Sequence, residues 1–314
     1  MKYAFVFPGQ GSQSVGMANG FEGLPVVRET FQEASQILRQ DLWKMVMEGP
    51  AEELNLTINT QPLMLTAGVA TWRAWIGYTG SRPAVLAGHS LGEYAALVAS
   101  NAISFEAALP LVRYRAKCMQ EAVPEGIGGI AAILGLDDEA VKHACLEASM
   151  GEVLEAVNFN SPGQVVIAGH RDAVLRGMDA AKAAGAKRAI MLPMSVPSHC
   201  SLMKPAALRL GDYLKNVAIK KPEIAVLHNT DVSRHEEPGE IRNALVEQLY
   251  RPVRWVETIQ SIFHEGMEAV SECGPGKVLA GLNKRIEPRQ AIFALTDRAA
   301  LEEAAAKLTE GEAC

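Results

Sequence analysis

Val85-Leu86-Ala87-Gly88-His89-Ser90-Leu91-Gly92-Glu93-Tyr94-Ala95-Ala96-Leu97-Val98 reads as a buried strand, a tight turn and a helix, with a serine at the turn. The run before Gly88 is wholly apolar, as a strand covered on both faces requires, and a helical pattern follows from Tyr94. Gly88 and Gly92 stand two residues either side of Ser90, so backbone crowding does not forbid the strained turn that pushes Oγ into the open. A helix starting there aims unpaired N–H groups at the same spot, where they would stabilise negative charge on a bound oxygen. The stretch predicts an α/β fold with a nucleophilic serine at a strand-to-helix turn.

Before it, Tyr3 to Phe7 reads as a fully buried first strand, followed by the loop Pro8-Gly9-Gln10-Gly11-Ser12-Gln13 and helical patterns near Leu24 to Leu38 and Pro62 to Trp75. After it, a helix is expected from Ser104 to about Ala122, carrying Arg113, Arg115 and Lys117, with Pro110 kinking or interrupting its first turns. From Gly128 the order changes to β-α-β-β-α-β: strand-like 129–136, helical 137–148, strand-like 153–159, a turn at Asn160-Ser161-Pro162-Gly163, strand-like 165–168, helical 172–184 and strand-like Ala189 to Met194. Alternating helices and short buried strands then return, with strands at 224–228, 269–273 and 291–295. The expected architecture is a large discontinuous α/β domain, 1–126 and 196–314, whose mostly parallel sheet is covered by helices around an α/β-hydrolase-like core. A ferredoxin-like small domain, 127–195, is inserted in it.

With 314 residues, 48% hydrophobic and 21% charged, the chain can bury a large core, and nothing in its composition suggests disorder. A net charge of -6 without a Lys/Arg stripe interleaved with aromatics argues against nucleic acid as a partner. Cys118, Cys145, Cys200, Cys273 and Cys314 are odd in number, scattered and free of C-x-x-C spacing, which argues against a disulfide framework and a zinc site and for a reducing compartment. The apolar run at the N-terminus is short and stopped by Pro8-Gly9, and no stretch approaches the roughly 18 apolar residues of a membrane span. A cytoplasmic protein without membrane or metal partners is expected.

A serine hydroxyl needs a base, and the seven histidines are unequal candidates. His89 adjoins the serine on a tight turn, where neighbouring side chains diverge, so it reads as a structural residue of the turn. His143, His264 and His235 lie in charged or polar surroundings. His170 and His228 each close a strand and could approach a cleft. His199, in Ser195-Val196-Pro197-Ser198-His199-Cys200 where the chain re-enters the large domain, is the best placed. One oxyanion donor is the N–H of Leu91, and Gly9-Gln10-Gly11 after the first strand suits the other. That loop is not a nucleotide cradle, since it fails G-x-G-x-x-G at the last position and lacks Gly-Lys-Ser/Thr.

With Gly9-Gln10-Gly11-Ser12-Gln13, Gly88-His89-Ser90-Leu91-Gly92-Glu93-Tyr94, Asn158-Phe159-Asn160-Ser161-Pro162-Gly163-Gln164, Val196-Pro197-Ser198-His199 and Gly274-Pro275-Gly276-Lys277 in this order, the chain resembles the bacterial malonyl-CoA:acyl carrier protein transacylases of dissociated fatty-acid synthesis over essentially its whole length. An α/β-hydrolase esterase would not be expected to carry the Gln-Gly-Ser-Gln loop or the insertion. The resemblance implies a ping-pong reaction through a malonyl-serine intermediate. Ser90 is then the nucleophile, His199 the base, the N–H groups of Gln10 and Leu91 the oxyanion hole, and Arg115 the ligand of the malonyl carboxylate. It also implies that the backbone carbonyl of Gln248, rather than an acid, orients the histidine, with His89, Asn160 and Ser198 supporting the pocket. The implied substrates are malonyl-CoA and phosphopantetheinylated acyl carrier protein, with no cofactor and a monomeric enzyme. An acidic carrier would need a basic rim, for which Lys187, Arg188, Lys284 and Arg285 are the candidates. A serine thioesterase or esterase would use the same Ser90 and His199 with water as acceptor.

Overall fold

The chain begins with β1 (Tyr3–Phe7), α1 (Pro25–Leu38), α2 (Leu42–Glu48), α3 (Ala51–Leu54), α4 (Thr57–Thr79), β2 (Val85–Gly88), α5 (Gly92–Ala99) and α6 (Phe105–Ala122). A second unit follows as β3 (Gly128–Leu134), α7 (Asp138–Ser149), β4 (Leu154–Ser161), β5 (Gln164–His170), α8 (Arg171–Ala183) and β6 (Arg188–Met191). The rest comprises α9 (Lys204–Leu214), β7 (Ala225–Leu227), α10 (Pro238–Glu247), α11 (Trp255–His264), β8 (Ala269–Glu272), α12 (Val278–Ile286), β9 (Ala291–Ala294) and α13 (Arg298–Leu308). This computed structural model describes residues 1–193 and 196–309. The end of the strand expected to reach Met194, the loop residue Ser195 and Cys314 lie outside the described residues.

The larger sheet has the order β7-β2-β1-β8-β9 with every pairing parallel. All residues of β1 and β2 are buried, which is why both read as uninterrupted apolar runs rather than alternating ones. One face of the sheet packs Tyr3 and Phe5 against Trp72 and Trp75 of α4, and each such fully buried side chain contributes roughly 1.5–3 kcal/mol. The other face carries Ala4 and Val6 onto Trp255 and Ile259 of α11. The chain after β1, β2 and β7 emerges beyond the carboxyl ends of the strands, the place where open parallel sheets bind ligands.

The smaller sheet is antiparallel with the order β4-β5-β3-β6. Strand alternation sends Ala131, Ile133, Val165 and Ile167 onto α7 and α8, and Ile130 and Val166 to the opposite face, toward the larger unit. The two units are stitched along β4. Phe159 N–H donates to the Val253 carbonyl at 3.0 Å and Val253 N–H to the Val157 carbonyl at 2.9 Å. Arg285 of α12 adds bonds to Ser161 Oγ at 3.2 Å and Gln164 Oε1 at 2.9 Å.

Two prolines behave differently from the sequence expectation. Pro110 lies inside a single helix, α6, and Pro62 lies inside α4, which starts at Thr57 rather than at the proline. Each follows the first helical turn, so only one early carbonyl loses its donor. For Pro110 that carbonyl belongs to exposed Glu106, where water can replace the bond, and Arg115 is carried by intact helix. Among the described residues, no helix is long and apolar enough to cross a membrane.

Candidate active site

Ser90 has φ 51°, a left-handed conformation that costs a residue with a side chain and persists only when its surroundings hold it. The two glycines make room for it: a Cβ on Gly88 would lie 1.9 Å from the Gly92 carbonyl carbon, and one on Gly92 would lie 2.0 Å from the Phe7 oxygen. Asn229, just after β7, pins the turn by accepting from Ser90 N–H at 2.7 Å and donating Nδ2–H to the Gly88 carbonyl at 2.6 Å.

His199 Nε2 lies 2.8 Å from Ser90 Oγ, and its Nδ1 lies 2.7 Å from the Gln248 carbonyl. A carbonyl can only accept, so Nδ1 carries the proton and Nε2 offers a lone pair to the serine hydroxyl. Burial, then the Arg115 charge, push the imidazole pKa from 6.5 down to about 3, against the opposing pull of the Gln248 carbonyl. The histidine is therefore a neutral base at neutral pH. Single-turnover acylation of Ser90 is expected to stay level as the pH falls through 6.5 and to decline only toward pH 3, within the range where the fold persists. An acid limb centred near 6.5 would show that the imidazole is not buried in this way.

Arg115 reaches the same serine from α6: Nη2 donates to Ser90 Oγ at 3.3 Å and to Gln248 Oε1 at 3.0 Å, and Nη1 donates to Gln61 Oε1 at 2.9 Å. The guanidinium sits 5.5 Å from the Tyr94 ring centre and is 1% exposed. Its Nε–H has no acceptor among the described residues. A fork of this kind can grip a carboxylate through parallel hydrogen bonds. On the other side, the N–H groups of Gln10 and Leu91 have no acceptor among the described residues, and both residues line the cavity with Ser90. That cavity encloses about 630 Å³ between the two units, with Arg115, Met119, Ile130, Val166, Leu192 and Ser198 along its walls.

The other expected residues fall in different places. His89 Nε2 donates to Asn160 Oδ1 at 2.8 Å, tying the turn to β4, and both line the cavity with Ser198. Burial lowers the His89 pKa, which keeps the ring neutral. Lys187 and Arg188 are exposed at the start of the edge strand β6, and Leu192 and Pro193 just beyond its end line the cavity mouth. Lys284 lines a separate groove with Lys277 and Lys307, while Arg285 is engaged with Ser161 and Gln164 and is not a free rim charge. Neither alternative histidine faces the serine. His170 Nδ1 accepts from Val153 N–H at 3.0 Å, and fully buried His228 bonds Glu93 at 2.7 Å.

The sequence reading missed Gln61, Glu93 and Asn229, together with the side-chain role of Gln248 and the bond from His228, weighed there as a possible base, to Glu93. Only Glu93 left a signal, as a lone acid in the apolar segment Gly92–Ala99.

Comparison with known proteins agrees with this geometry. The model of the acyl transferase domain matches residues 4–287. The malonyl CoA-acyl carrier protein transacylase of Salmonella typhimurium is 55% identical over 304 residues, covering 96% of this chain and 98% of that protein. A crystal structure of the acyl-carrier-protein S-malonyltransferase from Burkholderia pseudomallei superimposes with a TM-score of 0.96 at 57% identity, covering 98% of this chain and 100% of that one. A malonyl-transacylase solved in complex with a type II PKS acyl-carrier protein gives 0.97 at 51% identity, covering 98% and 100%. Likeness of this degree over nearly the full length of both partners, with Ser90, a neutral His199 and a buried Arg115 converging on one cavity, places the chain in the acyl transferase family, among the malonyl CoA-acyl carrier protein transacylases.

Proposed function

We propose that this chain transfers a malonyl group from malonyl-CoA to the phosphopantetheine thiol of acyl carrier protein, supplying the extender unit of fatty-acid synthesis. Ser90 Oγ attacks the thioester carbonyl while His199 Nε2 takes its proton. The N–H groups of Gln10 and Leu91 hold the oxyanion as the tetrahedral intermediate forms. Collapse breaks the C–S bond, and the protonated histidine returns the proton to the leaving CoA sulfur. In the second half, the carrier thiol gives its proton to His199 and attacks the malonyl-serine ester, and Ser90 is released with that proton.

The observation that carries this reading is Arg115: a buried guanidinium with Nη2 3.3 Å from the nucleophile favours an acyl group that ends in a carboxylate. Protein groups and the two thiols account for every step, so the proposal includes no cofactor. We take the enzyme to be a cytoplasmic monomer.

The test is intact-protein mass spectrometry after brief mixing with malonyl-CoA, followed by phosphopantetheinylated carrier protein or buffer. A malonyl adduct that requires Ser90 and moves to the carrier is expected. Loss to water at the same rate with or without carrier would make the chain a thioesterase instead.

Lys187 and Arg188, exposed where the edge strand that leads to the cavity mouth begins, are proposed to meet the acidic carrier. Reversing both to glutamate is expected to raise the apparent KM for carrier protein by about fivefold or more, and to slow acylation by malonyl-CoA far less. Equal loss in both half-reactions would remove them from the docking surface.

A further inference from the structure

Arg115 brings a full positive charge into a nearly dry site, yet among the described residues no carboxylate touches it. Its acceptors are two amide oxygens and the serine hydroxyl. A buried cation without compensation is costly, and the compensating charge here stands one residue away. Glu93, fully buried on α5, accepts from Gln248 Nε2 at 3.0 Å and Asn229 N–H at 3.0 Å through Oε2, and from His228 Nδ1 at 2.7 Å through Oε1. The Gln248 amide lies between the two charges.

Hydrogen-bond polarity fixes which way that amide points. Nε2 donates to the Glu93 carboxylate and to the Ser90 carbonyl at 2.9 Å, both of which only accept. Oε1 must then face Arg115, which only donates. The reversed amide would set oxygen against oxygen on one side and N–H against N–H on the other.

We infer that the side chains of Glu93 and Gln248 are positioning residues that hold Arg115 oriented beside Ser90 without giving it a carboxylate of its own, so that the first carboxylate to reach it is that of the acyl group. The inference rests on the malonyl-transfer reading and adds a source for its selectivity. A carboxylate in direct contact would pair Arg115 within the protein, and the substrate would have to displace it. The amide transmits the stabilising charge and leaves the fork open, with Nε–H still unpartnered.

The experiment compares Gln248→Met and Glu93→Gln with the unaltered chain in single-turnover acylation of Ser90 by malonyl-CoA and by acetyl-CoA, read by intact mass. Gln248→Met keeps the backbone carbonyl that orients His199, and Glu93→Gln keeps the shape but removes the charge. In each, the malonyl-to-acetyl rate ratio is expected to fall about tenfold or more. In an Arg115→Ala background the same substitutions should leave the ratio where it is.

A merely structural defect would slow both acyl donors alike; an unchanged ratio in both variants overturns the inference. If Gln248→Met loses its cooperative thermal melt, Gln248→Asn reads the same ratio, because the shorter amide cannot reach Glu93 and Arg115 together. An unaltered chain with no preference for malonyl would overturn the malonyl-transfer reading and this inference with it. A preference that both variants retain would overturn this inference alone.

Discussion

Ser90→Ala is expected to leave no acyl adduct after mixing with malonyl-CoA, and His199→Ala to slow formation of that adduct by about four orders of magnitude. The serine variant removes the atom that becomes covalently bound. The histidine variant keeps that atom but strands its proton, since no other described side chain offers a lone pair at 2.8 Å from Oγ. Arg115 is the remaining polar neighbour of Oγ, and a guanidinium can only donate. The cavity and the Gln10 and Leu91 N–H groups survive both changes, so a residual rate is expected in the histidine variant. Because the two residues act as a unit, the double variant should be no slower than the worse single one. Rapid-quench intact mass gives the rates. A His199→Ala enzyme within tenfold of the unaltered chain would mean that another group takes the proton.

The strand–turn–helix around Ser90 was legible in the sequence because three independent requirements coincide there: an apolar run for a doubly covered strand, glycines where a Cβ would strike backbone, and a helix start. The inserted unit was legible from its order of short alternating strands and polar-faced helices. His199 could be singled out by its position at the re-entry loop, but its depth could not, because burial depends on what packs over it.

Arg115 shows that limit most sharply. On α6 it stands between Arg113, which donates to the Leu38 carbonyl at 3.1 Å, and exposed Lys117, paired with Glu121 at 3.9 Å. Nothing local distinguishes these cations, and the resemblance alone picked the buried one. Partners such as Gln61 and Gln248 lie 54 and 133 residues away in sequence, and Glu93 lies 135 residues from His228. Such contacts exist only once the sheet has brought the ends of β1, β2 and β7 together.

Arg115→Ala is expected to cost malonyl acylation on the order of 2–5 kcal/mol, a loss of roughly thirty-fold to several thousand-fold in rate, while acetyl acylation changes far less. The malonyl carboxylate must leave water to reach Ser90, and in the variant the groups left around the vacated guanidinium are the Oε1 atoms of Gln61 and Gln248, which only accept hydrogen bonds and cannot replace its hydration. Those amides lose their donor as well, and Glu93 loses the charge it compensates. A drop in thermal stability should therefore accompany the change and must be measured beside the rates. Acetyl has no carboxylate to strand, which is why the ratio of the two rates separates recognition from general damage. Arg115→Lys should recover only part of the ratio, since one ammonium on a flexible stem cannot span two amide oxygens and a substrate carboxylate as a planar fork does. If malonyl and acetyl acylation fall together, the guanidinium holds the site in shape and does not choose the acyl group. Selectivity would then have to come from the apolar wall of Met119, Ile130, Val166 and Leu192.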